Sequence, residues 1–231
     1  MTPPAIAVEG LTVKEGGLHI FSNVGLTVPA ETSYVVLGKG AGPRELLRCV
    51  IGERKPDAGS VRVLGLDARR ARRKLRSRIL AVEPGGMPPA SPGIELVVLD
   101  DPDPEALARS AGPGRALFAA TQRPGVAETL GGRVGILGRG RLAAEGTLSD
   151  LLARFRRIRY ANRLTETRAA LGTELDEFDA ARVRVRGWGI EAVVSNFDPG
   201  AFERFRTLDG VEDAAAEPLS LAEILDAVAG S

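Results

Sequence analysis

The fold turns on one stretch, Tyr34-Val-Val-Leu-Gly-Lys-Gly-Ala-Gly-Pro-Arg-Glu-Leu-Leu-Arg48. The apolar run over 33–37 predicts a strand. Glycines 38, 40 and 42 predict a turn. Apolar residues at Leu46, Leu47, Val50 and Ile51 predict a helix over 43–51, closed by Gly52. Strand, glycine loop and helix in that order form the layout of a phosphate-binding P-loop, whose amides and helix N-terminus face an anion. The usual ending, Gly-Lys-Ser/Thr, is missing, because Gly42 is followed by Pro43, Arg44 and Glu45. Proline offers neither an N–H nor a charge. A carboxylate at position 45 satisfies a helix start from within and repels phosphate. Gly42-Pro43-Arg44-Glu45 is good capping chemistry for a plain helix. The first expectation is therefore a glycine turn that organises the fold. The alternative is weak anion binding through Gly38, Lys39, Gly40, Ala41, Gly42 and Arg44.

Outward from this stretch, residues 6–13 and 18–28 predict two strands joined at Glu15-Gly16-Gly17. Downstream come a turn at Lys55–Gly59, a strand at 61–64, a basic helix over 67–78, a strand at 79–82 and a connector rich in proline and glycine over 83–93. Residues 94–99 and 116–121 are continuous apolar runs, the pattern of buried parallel strands. The first ends at Asp100-Asp101-Pro102, the second at Gln122. A hairpin is expected over 133–144 and an arginine-rich helix over 148–171. Beyond an acidic stretch at 172–181, the pattern predicts a β-β-α-β-α unit. The expected organisation is a main domain over 1–171 and a small extension over 172–231. The fold class is α/β: a parallel core sheet carrying the P-loop strand and the Asp100 strand, a flanking antiparallel sheet, and an α+β appendage.

Composition removes several function classes. A single cysteine, Cys49, excludes an internal disulfide, and a single histidine, His19, excludes most zinc and triad constellations. His19 sits among apolar neighbours and is expected to be structural. Net charge is +1, so no general attraction to nucleic acid or membrane follows. Seven of the ten residues 69–78 are basic, but no aromatics interleave them, and Leu75 alone gives no membrane-inserting face. A solvated face and no nucleic-acid partner are expected. The first residues lack the basic flank and apolar core of a signal peptide, and no run reaches the ~18 apolar residues of a membrane span. A cytoplasmic chain is expected.

Four phrases combine into a resemblance. The P-loop layout, PDAGSVRVLG at 56–65, the buried strand ending in Leu99-Asp100-Asp101-Pro102, and RVGILGRGRLAAEGTLSDLLARF at 133–155 together resemble the ATP-binding subunit of an ABC transporter. AEPLSLAEIL at 216–225 resembles the C-terminal extension of exporter-type subunits. The resemblance implies ATP and magnesium as cofactors. It also implies a homologous ATP-binding subunit or a second copy as partner, a membrane permease, and a place at the inner face of the cell membrane.

The departures are specific. Pro43 stands where the family has its lysine, and Arg44 where a serine or threonine would hold magnesium. Asp100 matches the aspartate that supports magnesium through water. Asp101 replaces the glutamate that acts on the attacking water and is one methylene shorter. Gln122 replaces a histidine that contacts the γ-phosphate. Glu15 stands roughly at the adenine-stacking aromatic, and Glu83-Pro84 replaces the glutamine loop. Between Gly42 and Asp100 the helical subdomain and the Leu-Ser-Gly-Gly-Gln signature are absent. No catalytic residue is therefore expected. The reading is a catalytically inactive accessory or regulatory subunit of an exporter system. Its alternatives are a weakly nucleotide-binding subunit working with a competent partner, and an interaction scaffold. A scaffold would use helix 148–171 or the appendage, where Trp188, Phe197, Phe202 and Phe205 form either an apolar seam or the appendage's own core.

Overall fold

Alternating apolar positions open the chain and build its first sheet. β1 (Ile6–Glu15) turns Ile6, Val8, Leu11 and Val13 inward and pairs antiparallel with β2 (Leu18–Val28). After β3 (Ser33–Gly38) and α1 (Gly42–Val50), the chain returns as β4 (Ala58–Val63) and the short β5 (Leu66–Asp67), completing the order β2-β1-β4-β5. The structure is a computed structural model in which residues 3–89, 92–162 and 173–230 are described.

The basic run contributes only one turn of helix, α2 (Arg72–Leu75), in place of the helix expected over 67–78. Within 69–78 only Leu75 is buried, so nothing anchors a longer amphipathic face. The core sheet then fills with β6 (Ile79–Val82), β7 (Leu96–Asp100), β8 (Ala116–Thr121), β9 (Arg133–Gly138) and β10 (Arg141–Thr147). Helices α3 (Pro104–Ser110) and α4 (Pro124–Leu130) connect its strands. The order is β10-β9-β3-β8-β7-β6, parallel throughout except for β10. Every residue of β7 and β8 is buried, which is why both read as unbroken apolar runs. Gly52, at φ 71, ends α1; a Cβ there would fall 2.4 Å from the Ala68 carbonyl oxygen. Position 52 thus lets α1 close onto the chain after β5.

The chain divides into two compact units at Leu148/Ser149, not near 172. The physical reason lies in the stretch expected to be a long helix. α5 (Leu148–Arg154) stops at Arg154, and β11 (Arg156–Asn162) follows. Residues 163–172 of that expectation lie outside the described residues. β11 buries Ile158 and Tyr160 on one face and carries Arg157 and Arg159 on the other, a strand alternation.

The second unit continues with a 3-10 turn (Thr173–Phe178), β12 (Ala180–Arg186), β13 (Gly189–Val194), α6 (Pro199–Phe205), β14 (Val211–Pro218) and α7 (Leu221–Val228). Its antiparallel sheet runs β12-β13-β11-β14, with β11 at a central position that the β-β-α-β-α reading lacked. Phe197, Phe202 and Phe205 belong to this unit's own core with Tyr160 and Phe178. Trp188 is 53% exposed and His19 is exposed, so neither sits in a core.

Candidate functional site

The glycine loop sits at the carboxyl ends of β3, β7 and β8, where parallel sheets offer their ligand crevice. β3 ends at Gly38, and the chain turns through Lys39, Gly40 at φ 71, and Ala41. Gly38 is needed for close approach: a Cβ there would lie 3.0 Å from Pro43 Cγ and 3.1 Å from Leu137 Cβ. The proline ring thus closes over the strand end. α1 starts at Gly42 with Ala41 as its N-cap and no side-chain cap, and the Glu45 N–H donates to the Ala41 carbonyl at 3.0 Å. The expected self-capping by Glu45 does not occur. Its carboxylate turns along the helix to Arg48 at 3.1 Å and to Arg54 at 3.0 Å. Two guanidiniums outcompete the helix start for it.

Arg44 turns the other way. Its Nε lies 3.0 Å from Asp100 Oδ2, and Glu83 stands 4.0 Å from its Nη2. Asp100 closes β7 at 8% exposure. Burial pushes its carboxyl above the ordinary range; Arg44 opposes that shift, and Glu83 and Asp101 add to it. Burial wins because Arg44 itself is largely exposed to water. The residue type at the position expected to hold magnesium has thus placed a cation on the aspartate expected to support it.

Asp101 is held with equal economy. It adopts φ 45, and its N–H donates to the Ala120 carbonyl at 2.9 Å. Thr121 Oγ1 donates to Asp101 Oδ1 at 2.5 Å, and Arg123 Nε donates to the same oxygen at 3.0 Å. Arg123 Nη2 also donates to the carbonyls of Asp101 and Pro102, both at 2.7 Å. These bonds fix the carboxylate against the β8 end. Both side-chain bonds fall on Oδ1, so that oxygen is committed while Oδ2 carries neither.

A cleft of about 460 Å³ connects these groups, lined by Gly40, Ala41, Arg44, Asp100, Asp101 and Gln122 among others. Gly38, Lys39 and Gly42 shape the turn without lining the cleft, and Glu15 sits exposed at the β1–β2 turn. Sequence reasoning missed Thr121 and Arg123. The available signal was adjacency: β7 and β8 pair in parallel with Asp100 opposite Ala120, which brings 101 beside 121.

The loop strand β3 is separated from the Asp100 strand by β8, and solved structures superpose on much of the chain. CbiO1 of Clostridium perfringens, part of the ABC transporter complex cbiONQ, superposes with a TM-score of 0.55 at 15% identity, over 65% of this chain and 91% of that one. Over 65% of the chain the fold matches that of solved ABC-transporter ATP-binding subunits. In sequence, 68 residues are 35% identical to the spermidine/putrescine import ATP-binding protein PotA of Pseudomonas aeruginosa, covering 29% of this chain and 19% of PotA. Another 32% identity runs over 75 residues of the Nod factor export ATP-binding protein I of Azorhizobium caulinodans, 32% of this chain and 23% of that protein. The matches thus span about a fifth of these relatives' length, and importers and an exporter both occur among them. No family model matches the chain. The relatives and the fold support the ATP-binding half of the resemblance; the exporter half is not distinguished by them. Among the described residues no helix is long and apolar enough to cross a membrane.

Proposed function

We propose that this chain is an ABC-type ATP-binding subunit that no longer hydrolyses ATP and acts as an accessory or regulatory component of a transport system, of exporter type by its C-terminal phrase. The observation that carries the reading is the Arg44–Asp100 pair at 3.0 Å. A magnesium nucleotide does not fit the groups present. Pro43 supplies no N–H, Arg44 puts a positive charge where a metal would sit, and Asp101 Oδ1 is engaged by Thr121 and Arg123. Removing one electrostatic stabiliser from a catalytic site typically costs ~2.7–4 kcal/mol of transition-state stabilisation. The effects of neighbouring groups do not simply add, but all point the same way.

The partners in this reading are a homologous ATP-binding subunit or a second copy, and a membrane permease reached at the cytoplasmic face. An accessory subunit needs its fold and its surfaces; it does not need turnover. The deciding measurement is ATP hydrolysis by the purified chain beside Asp100→Asn. We expect the two to be indistinguishable, with no thermal shift from millimolar MgATP. Turnover that Asp100→Asn abolishes would overturn the proposal. A thermal shift without turnover would overturn the misfit of the nucleotide and leave a nucleotide-binding but inactive subunit.

A further inference from the structure

The basic run sorts into two kinds of side chain. Arg72 is tied to Glu53 at 2.9 Å, and Arg78 grips Glu95 through two hydrogen bonds of 2.5 and 2.8 Å. Arg69 and Arg70 have no acidic partner among the described residues, and neither does Lys55 on the facing turn. These three exposed cations share one concavity of about 500 Å³, floored by Cys49, Val61 and Ala68. The missing Cβ of Gly52 lets α1 close onto Ala68, which lines the concavity. The carboxylate in the wall, Asp67, is turned onto backbone: its Oδ1 accepts from the N–H groups of Arg69 at 3.1 Å and Arg70 at 2.7 Å. Arg54 does not add to the free charge, because it donates to the Lys14 carbonyl and pairs with Glu45.

We propose that this cleft binds a compact polyphosphate group. Its volume suits a small ligand. Three cations without an acidic partner line one hollow and match several negative charges, through charge-assisted hydrogen bonds. The Ser60 hydroxyl in the wall adds a neutral donor. A nucleic acid is the poorer fit, because no aromatic lines the cleft for bases to stack on. Insertion into a bilayer is also disfavoured, because Leu75 is buried and the run exposes no other apolar anchor. The cleft touches the C-terminal end of α1, while the glycine loop precedes its first turn. The inference therefore stands apart from the fate of the nucleotide site.

The test is calorimetric titration of the full chain with inorganic tripolyphosphate, without magnesium and at low ionic strength. We expect one-to-one binding that weakens with added salt. A triple variant, Lys55→Ala with Arg69→Ala and Arg70→Ala, should weaken it tenfold or more. Arg73→Ala with Lys74→Ala and Arg76→Ala removes the same charge outside the cleft and should weaken it less than about threefold, by screened long-range attraction only. Arg44→Ala should leave it unchanged. Arg70→Glu alone serves if the first triple variant loses its fold by circular dichroism. Equal weakening in the two triple variants, weakening in Arg44→Ala, or no binding at millimolar tripolyphosphate would each overturn the proposal. Sedimentation with phosphatidylcholine vesicles carrying a phosphoinositide bisphosphate separates the sources. Co-sedimentation displaced by tripolyphosphate assigns the group to a lipid headgroup; tripolyphosphate binding without co-sedimentation assigns it to a soluble ligand.

Discussion

Arg44 and Asp100 form a half-buried pair in which the acid carries the burial and the base remains in water. That asymmetry sets the sign of its pH dependence. The Asp100 carboxyl is raised above its ordinary value, so its ionisation in the folded protein is unfavourable. Its contribution to stability is full below the unfolded value and is lost as pH rises through the folded one. Removing Arg44 leaves the carboxylate with Glu83 and Asp101 as charged neighbours and raises it further. Arg44→Ala should therefore lower stability at pH 7 by about 1 kcal/mol, discounted for the exposure of the guanidinium. The deficit should shrink at acid pH, as the carboxyl takes up its proton. Urea denaturation at neutral and at acid pH checks this; a deficit of equal size at both would show that the pair is electrostatically idle. The pair itself was not legible in the sequence. Arg44 and Asp100 could each be matched to a position in the ATP-binding pattern, but their meeting depends on a strand order that only the folded sheet supplies.

Helix α7 illustrates a different relation between residues and element. Ser220 and Glu223 form a reciprocal capping box: the Glu223 N–H donates to Ser220 Oγ, and Glu223 Oε2 accepts the Ser220 N–H at 2.9 Å. Arg157, reaching from β11, adds a 2.6 Å bond to the same carboxylate. The Ser220 backbone N–H first, and Arg157 second, hold the Glu223 carboxyl down to about 2. A depressed acid stabilises the fold above its unfolded value, and that contribution is lost as pH falls from ~4.5 toward about 2. Ser220→Ala should cost ~1 kcal/mol at neutral pH. Glu223→Gln should flatten the acid limb of the stability curve, and an unchanged limb in thermal melts between pH 5 and pH 2 would count against the assignment. Ser220-Leu-Ala-Glu223 carries the Ser-x-x-Glu pattern of such a box, and α7 is the closing helix of the expected β-β-α-β-α unit. β11 was not read, although Arg157-Ile158-Arg159-Tyr160 alternates with period two. Arginine is a good helix former, so an arginine-rich stretch following Leu148–Arg154 reads as a continuing helix. Tertiary pairing with β13 and β14 overrode that propensity.

At the scale of the molecule, each unit owns a core. The first is built around Tyr34, Phe118 and the sheet strands, and the second around Tyr160, Phe178 and Phe205. A chain of this size with its own buried aromatics exceeds the ~40 residues below which domains usually need staples. Residues 149–231 expressed alone should therefore unfold in a single cooperative transition, with the near-ultraviolet dichroism of packed aromatics. A featureless melt would mean that this unit depends on residues before 149. The layered α/β architecture was legible because buried parallel strands leave unbroken apolar runs. The division at 148/149 was not, since composition turns acidic only after the first strand of the second unit has passed. One consequence of the pair at the loop reaches this scale. A metal ion answers to the concentration of its free form, whereas Arg44 is part of the chain and never leaves. Chelation, dilution or a falling adenylate supply leaves the charge beside Asp100 as it was. Whatever rests on that end of the sheet meets a charge that neither metal nor nucleotide supply can remove.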